Sequence, residues 1–384
     1  MEELYVDSQD KLSNLCSLIE ASDVIAIDTE FLREKTYYAQ LCLIQIATDD
    51  VIACVDPLNI SNLDPFLDLL YQPNRVKVLH SARQDLEIFF DLKGELPKPI
   101  FDTQIAATLL GHGDQLGYAN LVKAMLSQPV DKEHSRTDWS KRPLDDAQIH
   151  YAMNDVRYLI PIYRQQLQRL TDMGREQWLQ TDFDSLTDKR LYAPEQEQLW
   201  KRVKGTRILK RGQLAVLQQL TMWREQRAKE FNRPRKWVLP DDVLVDIARR
   251  CPGSMEALEK IRGWSNYIKK SANEILKLIE DAKSLPESQW PVTERATPLT
   301  VEQEALVDLL MSVIRIRALE NDVTPAVLVT RKDLENLVLG ERNLDVLSGW
   351  RQELIGRELL ECINGKKLIA IKQQKIVITD IAGS

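Results

Sequence analysis

The stretch at residues 24–30, Val-Ile-Ala-Ile-Asp-Thr-Glu, joins a continuous apolar run to a pair of acidic residues. A short apolar run rich in β-branched residues predicts a strand that is buried on both faces of a sheet. Further apolar runs at residues 41–47, 51–55 and 76–79 predict three more strands, and helical spacing dominates from residue 102 onward. The pattern therefore predicts an α/β domain built around a buried central strand.

The two acids that end this stretch, Asp28 and Glu30, lie two residues apart. On a strand this spacing places both carboxylates on one face, at the carboxyl edge where α/β sheets place their sites. Either acid alone could be a turn residue. Two acids after a buried run would repel each other without a counterion, and a bound divalent cation would remove that conflict.

Two further segments carry acids in suggestive positions. Tyr151 and Asp155 are four residues apart in a predicted helix and therefore share a helix face. Asp85 lies at the start of a predicted helix, just after the strand that ends at His80. The sequence also allows simpler roles, because a surface pair often decorates a helix and a first-turn acid complements the helix dipole.

Charge is distributed unevenly along the 384 residues, whose net charge is −7. Residues 1–190 contain 19 Lys and Arg against 31 Asp and Glu, whereas residues 201–290 contain 20 against 11. A basic segment beside an acidic one is either a solvated face or a nucleic-acid-binding surface. The chain has no apolar run of about 18 residues, which argues against a transmembrane helix.

The cysteines and the first ten residues indicate the cellular compartment in which the protein is expected. Five scattered cysteines form no CxxC pair, which argues against a disulfide framework or a cysteine zinc site. The first ten residues are acidic and lack an apolar core, so we expect no secretory signal there. These features are typical of a cytoplasmic protein.

The pattern along the chain predicts three parts. The N-terminal domain takes residues 1–200, with its core at about 5–170, including one long helix near 145–170 and a linker at 171–205. The first helical module takes residues 205–290 and the second helical module takes residues 296–375. Because the two modules have a similar size and helix order, we interpret them as diverged copies of one unit.

Three short segments carry the acids: residues 27–31 (IDTEF), 80–87 (HSARQDLE) and 151–156 (YAMNDV). They resemble the first, second and third motifs of the DEDD superfamily of 3′→5′ exonucleases, the third in its tyrosine (YxxxD) form. Residues 101–104 and 135–144 resemble further segments of the superfamily. Within it, the chain is most similar to the ribonuclease D family, and the helical modules resemble its tandem HRDC domains.

This resemblance implies a fold and a metal site. The implied fold is a ribonuclease H-like, DnaQ-like exonuclease fold with a mixed central sheet, followed by two small all-α HRDC-like domains. Two divalent ions, Mg²⁺ or Mn²⁺, would be held by four acids, with Asp28 bridging both. By the same resemblance, Glu30 and Asp155 would hold the ion that carries the attacking water, Asp85 would serve the other, and Tyr151 would orient the water.

Other candidate residues would contact the substrate. Thr29 would touch the terminal nucleotide, Phe31 would pack against its base and His80 would touch phosphate, although Phe31 could be a core residue and His80 could be satisfied by the protein itself. In the first helical module the candidates form the basic and aromatic run Arg235, Lys236 and Trp237.

The resemblance implies a metal-dependent 3′→5′ exoribonuclease that releases nucleoside 5′-monophosphates. We expect its partners to be tRNA precursors and other small structured RNAs with 3′ tails, with no membrane and no obligate protein partner, and we expect a monomer. Two alternatives stay open at this point. The same acids would serve a DNA 3′→5′ exonuclease, and the fold could also belong to a non-catalytic RNA-binding protein.

Overall fold

A mixed six-stranded sheet organises the N-terminal domain. The computed structural model describes residues 1–130, 137–264, 266–292 and 297–381. The strand order is β1-β4-β3-β2-β5-β6, in which β3 runs antiparallel to both of its neighbours and the other pairs are parallel. The strands are β1 Glu2–Val6, β2 Val24–Leu32, β3 Gln40–Ala47, β4 Val51–Val55, β5 Val76–Leu79 and β6 Ile100–Asp102.

Helices cover both faces of the sheet, as burial of such strands requires. They are α1 Gln9–Ile19, α2 Asp64–Leu70, α3 Arg83–Lys93, α4 Thr103–Leu109, α5 Tyr118–Leu126, α6 Asp146–Arg157, α7 Leu159–Asp172 and α8 Glu176–Leu186. One face packs on α1, α2 and α3 through a core that includes Ile25 and Ile27. The opposite face packs on α6 and α7 through a core that includes Ala26 and Ala152.

Two predictions about this region are wrong. The expected single helix near 145–170 is broken at Tyr158 into α6 and α7. Pro161 lies in the first turn of α7 and has no N–H for the carbonyl four residues earlier, so an unbroken helix would lose that hydrogen bond. The expected linker at 171–205 contains α8 and short 3₁₀ turns, and Leu179 and Trp200 from this segment are buried in cores.

The first helical module consists of α9 Arg211–Glu230, α10 Arg235–Val238, α11 Asp241–Arg250, α12 Met255–Glu259, α13 Asn266–Lys269 and α14 Ala272–Ser284. The second consists of α15 Val301–Glu320, α16 Pro325–Leu328, α17 Arg331–Val338, α18 Gly349–Arg351 and α19 Arg357–Ile363. Short 3₁₀ turns lie at Lys189–Leu191, Gln196–Arg202, Thr206–Ile208, Glu287–Gln289 and Asp345–Leu347, and a π turn at Gln352–Gly356 joins α18 to α19.

The two modules begin alike, 90 residues apart. Both open on a 20-residue helix, then a left-handed residue, Asn232 or Asp322, and then a four-residue helix. An equivalent ion-pair pattern follows, since Arg227 contacts acids at 230 and 274 while Arg317 contacts acids at 320 and 358. The long helices, the left-handed residues and the ion pairs therefore lie at equivalent positions in the two modules.

The second module differs from the first in two ways. It ends in an antiparallel hairpin of β7 Lys367–Lys372 and β8 Lys375–Asp380, which the prediction of an all-α module did not include. Its described buried residues also form no separate core, because Val307, Leu310 and Leu337 belong to the same buried cluster as Ala26 of the sheet. The first module has a separate core around Leu217. No helix in the described ranges is long and apolar enough to cross a membrane.

Candidate active site

The candidate site lies where β2 extends beyond β5. The parallel pairing of these strands stops at Ala26 opposite Val78, so the following residues of β2 pair only with β3. Asp28 lies opposite Gln45 and Glu30 lies opposite Leu43, and a register shift follows Glu30. Both acids are half-buried on the sheet face that packs against α6.

The third acid of the cluster, Asp155, comes from α6. A capping box at Asp145 and Gln148 fixes the start of this helix, and Ala152 and Val156 are buried against the sheet. This packing brings Asp155 to β2, and one carboxylate oxygen each of Asp28, Glu30 and Asp155 lies within 4.8 Å of the others. The structure therefore brings together three of the four acids that the resemblance implies as metal ligands.

The fourth acid, Asp85, reaches the site from α3 on the opposite face of the sheet. Its side chain is only 6% exposed. The hydroxyl of Thr29 donates a hydrogen bond to Asp85 Oδ1, with 2.5 Å between the oxygens. Thr29 points away from its two acidic neighbours, as alternation along a strand requires. Thr29 therefore ties Asp85 to the strand that carries the other acids.

Tyr151 lies one helical turn before Asp155. Its hydroxyl donates a hydrogen bond to the Asp155 carboxyl group, and this contact lowers the pKa of Asp155. Burial has the larger and opposite effect, so the pKa of Asp155 is raised to about 7. Tyr151 is half-buried and packs on Trp139, with 6.2 Å between the ring centroids.

Burial raises the affinity of all four acids for protons, and the charges of neighbouring acids add to this effect at Asp28 and Glu30. Burial, followed by the charges of Asp155 and Asp85, raises the pKa of Glu30 to about 8. Burial also raises the pKa of Asp85 to about 7, against the hydrogen bond from Thr29. For Asp28, burial and then the three neighbouring acids raise the pKa well above its usual value.

This electrostatic conflict is the test of whether the site suits a cation. Within the described ranges, no Lys or Arg forms an ion pair with any of the four carboxylates, and no cation appears among the causes of their pKa shifts. Clustered carboxylate oxygens are the donors that hard divalent ions prefer. The residues therefore fit a divalent metal ion, which would balance their charge.

Two residues near the acids, Phe31 and His80, were predicted to contact the nucleotide, and their surroundings differ. Phe31 is half-buried and follows the register shift. His80 is half-buried, its Nδ1 lies 2.9 Å from Thr103 Oγ1, and its ring meets Tyr118 edge-on at 5.7 Å. Burial lowers the pKa of His80. The protein therefore already supplies a polar partner for one nitrogen of this ring.

The three residues of the predicted basic and aromatic run, Arg235 to Trp237, have different surroundings. Arg235 forms hydrogen bonds with both carboxylate oxygens of the buried Glu225 and one with the Tyr37 hydroxyl. Lys236 and Trp237 are exposed, with Trp237 51% exposed. Arg235 therefore contacts the N-terminal domain through Tyr37, whereas the side chains of Lys236 and Trp237 are open to solvent.

Sequence reasoning missed two supporting groups. The Tyr118 hydroxyl donates to the Asn154 carbonyl and accepts from the Tyr158 amide, so it stabilises the break between α6 and α7 directly beside Asp155. Tyr37 lies in the loop after β2 and contacts the first helical module. No signal in the sequence could have found either contact, because each depends on pairing between distant segments. Of residues 135–144, positions 135 and 136 lie outside the described residues.

Comparison with known proteins identifies the family. A family model described as 3′-5′ exonuclease matches residues 4–172, and the HRDC domain model matches residues 213–279. Ribonuclease D of Gluconacetobacter diazotrophicus is 38% identical over 97% of this chain and 96% of its own length. Ribonuclease D of Sphingobium indicum is 38% identical over 98% of each chain.

A solved structure agrees with the sequence relatives. The crystal structure of Escherichia coli RNase D, described as an exoribonuclease involved in structured RNA processing, is 31% identical. It matches with a TM-score of 0.82 over 95% of this chain and 99% of its own. Sequence, fold and acidic site therefore agree, and the chain belongs to the ribonuclease D family of 3′→5′ exoribonucleases.

Proposed function

We propose that Asp28, Glu30, Asp85 and Asp155 hold two divalent ions, Mg²⁺ or Mn²⁺, and that with Tyr151 they form the catalytic site. The observation that carries this proposal is the cluster of three carboxylates within 4.8 Å, with Asp85 tied to it through Thr29. Four carboxylates carry a charge of about −4, which two divalent ions balance. The reaction hydrolyses the terminal phosphodiester bond of RNA and releases a nucleoside 5′-monophosphate.

Each protein group has a distinct task in this proposal. When bound, the ions would supply an activated water and neutralise charge on the phosphoryl group. Tyr151 positions the attacking water with its hydroxyl, whose orientation is set by the hydrogen bond to Asp155. A tyrosine hydroxyl has an ordinary pKa near 10, so it is better suited to positioning than to removing a proton at neutral pH.

The proposed substrates are tRNA precursors and other small structured RNAs with 3′ tails. Phe31 follows the acids on β2 and would pack against the terminal base. Thr29 would contact the terminal nucleotide, and His80 would contact phosphate. Lys236 and Trp237 are exposed and offer a charge and a stacking ring for RNA further from the end. Arg235 would support this surface through its contact with Glu225.

The remaining proposals concern organisation. We propose functional parts at residues 1–200, 205–290 and 296–375, acting together in a cytoplasmic monomer. The separate core of the first module supports a distinct RNA-binding part. The core that the second module shares with the sheet supports a bracing role. Light scattering of the purified chain tests the monomer directly.

The proposed function is tested with a tRNA that carries a short 3′ extension and a 5′ label. The protein is incubated with it in Mg²⁺, in Mn²⁺ or in EDTA, beside a single-stranded DNA of matched length. We expect metal-dependent shortening of the RNA by one nucleotide at a time. Asp28→Asn should abolish shortening while RNA binding survives, because the change removes one negative charge from the site.

Other outcomes would redirect the assignment. Shortened DNA beside intact RNA would preserve the metal chemistry and overturn the substrate. Tight RNA binding without cleavage in any metal would indicate a binding protein. Full activity of Asp28→Asn under metal-controlled conditions would contradict the carboxylate assignment itself.

A further inference from the structure

A large cavity separates the N-terminal domain from the first helical module. Its volume is about 790 Å³, within the range of about 300–1,000 Å³ typical of ligand sites. One wall comes from the loop after β2 and from α3, and the other comes from residues 199–204 and the start of α10. None of the four proposed metal-binding acids lines it.

Most acids in the cavity wall are already paired. Glu87 pairs with Arg33 at 3.0 Å, Glu225 pairs with Arg235, and Asp241 pairs with Arg224 at 2.6 Å. These contacts neutralise three carboxylates with three guanidinium groups. Among the described residues, Glu34 and Asp91 are the lining acids without an ion pair.

Four lining cations have no ion-pair partner among the described residues: Arg83, Arg202, Lys204 and Lys236. All four are exposed. They outnumber the two unpaired acids, so the cavity presents an excess of positive charge to solvent. Tyr37 and Tyr192 also line it. A basic groove with aromatic side chains is the usual platform for single-stranded nucleic acid.

The cavity wall includes two residues that lie close in sequence to the acids, Arg33 and Arg83. Arg33 lies three residues after Glu30, and at about 3.3–3.6 Å per residue their Cα atoms are at most about 11 Å apart. Arg83 lies two residues before Asp85 at the start of α3. An RNA strand whose 3′ end is at the acids therefore reaches the cavity wall within a few nucleotides.

We infer that this cavity binds the phosphate backbone of the RNA strand upstream of the cleaved end. Arg202, Lys204 and Lys236 contact phosphates from the module side, and Arg83 contacts them from the side of the acids. The inference rests on the proposed function for the direction of the strand. The binding itself requires no metal, because the contacts are made by cations of the protein.

The test compares two triple variants of the full chain. The cavity variant carries Arg202→Gln, Lys204→Gln and Lys236→Gln. The control variant carries Arg207→Gln, Lys260→Gln and Lys277→Gln, which remove three exposed cations of the same module outside the cavity. Binding of a 5′-labelled twelve-nucleotide RNA is measured by fluorescence anisotropy in EDTA over a series of salt concentrations.

We expect the cavity variant to bind about a hundredfold more weakly at 0.1 M salt, with the control variant unchanged. The slope of log K against log salt should decrease in magnitude by about two, since each phosphate contact to a single strand contributes about 0.7. Matching thermal melting curves for both variants and the unmodified chain show that the fold is intact.

Equal binding by the cavity variant and the unmodified chain would overturn the inference. Equal losses in both triple variants would also overturn it, because they would indicate diffuse attraction to the whole basic module. Failure of the proposed function is seen separately. It would appear as absent RNA shortening by the unmodified chain in metal, whatever the binding experiment in EDTA shows.

Discussion

Tyr151 is the proposed catalytic residue whose task depends most directly on one hydrogen bond. Tyr151→Phe removes the hydroxyl that contacts Asp155 and leaves the ring packed on Trp139. We expect kcat to fall by about a hundredfold, the usual effect of misplacing a reacting group. We expect metal affinity to change little, because the four carboxylates remain. Turnover of a short RNA and titration with Mn²⁺ measure the two quantities.

The matched control for this change is Tyr158→Phe. Tyr158 is at the break after α6 and contributes its backbone amide to the local structure, which phenylalanine preserves. The kcat of the Tyr158→Phe variant should equal that of the unmodified chain. Loss of Mn²⁺ binding in Tyr151→Phe would instead assign the tyrosine to the structure of the metal site.

The raised carboxyl pKa values predict how stability depends on pH without metal. Burial, followed by the charges of Asp155 and Asp85, raises the pKa of Glu30 to about 8, and burial raises the pKa values of Asp85 and Asp155 to about 7. Unfolded carboxyl groups titrate near 4, so between these limits the folded chain binds more protons than the unfolded chain. Stability in EDTA should therefore decrease as the pH rises from about 5 to 8.

Metal should reverse this trend, because it binds only the ionised carboxylates. We expect Mg²⁺ or Mn²⁺ to raise Tm by about 5 °C or more at pH 8 and by much less at pH 5. Differential scanning calorimetry at both pH values, with and without EDTA, measures this. A metal effect of equal size at both pH values would contradict the assignment of these groups as the binding site.

Sequence reasoning at the residue scale succeeded where the signal was local. The two-residue spacing of Asp28 and Glu30 correctly indicated a shared face, because strand geometry fixes it. Thr29 was expected to contact the terminal nucleotide through its backbone or its hydroxyl, and in the structure the hydroxyl contacts Asp85. That contact joins residues 56 positions apart. It depends on how α3 packs against β2, which no local pattern reports.

At the scale of elements, the loop after β2 connects the acidic strand to the first helical module. The Tyr37 ring lies under the Arg235 guanidinium at 4.6 Å, and its hydroxyl donates to the buried Glu225. The amides of Tyr37 and Tyr38 both donate to the Asn232 side chain, at 3.0 and 3.1 Å. These contacts fix the position of the module relative to the strand that carries the acids.

Tyr37→Phe removes the hydroxyl that donates a hydrogen bond to the buried Glu225. An unmade buried hydrogen bond costs about 1–3 kcal/mol, so we expect the module to separate more often from the loop. Hydrogen exchange at the amides of Tyr37 and Tyr38 should then become faster. Tyr38→Phe is the matched control, because its own hydroxyl has no hydrogen bond among the described contacts and the ring is preserved.

This prediction separates a local contact from a general loss of stability. Exchange in the central sheet, for example at Ile44, should be unchanged in Tyr37→Phe. Faster exchange throughout the chain would indicate global destabilisation, and unchanged exchange at residues 37–38 would show that the hydroxyl contributes nothing to docking.

The elements that sequence reasoning missed share one physical cause. β6 is only three residues long and β1 is at the edge of the sheet, so neither has a strong apolar run. Residues 171–205 are rich in charge, and α8 is stabilised by contacts with α4, α7 and β6 and with α18 of the second module rather than by its own pattern. The secondary structure of such segments depends on tertiary packing, whereas that of the buried strands follows from their apolar composition.

On the scale of the whole molecule, the second helical module packs against the N-terminal domain. Trp350 stacks on Trp178 of α8, with 4.3 Å between the centroids and 5° between the planes. Arg351 contacts both carboxylate oxygens of Asp182 on the same helix. Because the buried cluster runs without interruption from the sheet into α15, the two parts should unfold together.

Trp350→Ala tests this coupling. The ring is 8% exposed, and removing it leaves a cavity beside Trp178, which costs about 3–5 kcal/mol. We expect one cooperative transition at lower temperature, in which the sheet and the module still unfold together. Thermal unfolding followed by circular dichroism and by tryptophan fluorescence measures whether the two signals coincide.

Trp237→Ala is the matched control, because this tryptophan lies in the first module and is 51% exposed. It should leave Tm unchanged. If Trp350→Ala instead gave two transitions, with the sheet as stable as before, the second module would be an independent unit. If the sheet and the second module still unfold in one transition, they share a core. Truncation after residue 290 would then remove part of the core of the nuclease domain. RNA binding by the modules is therefore better tested by surface substitutions than by deletion.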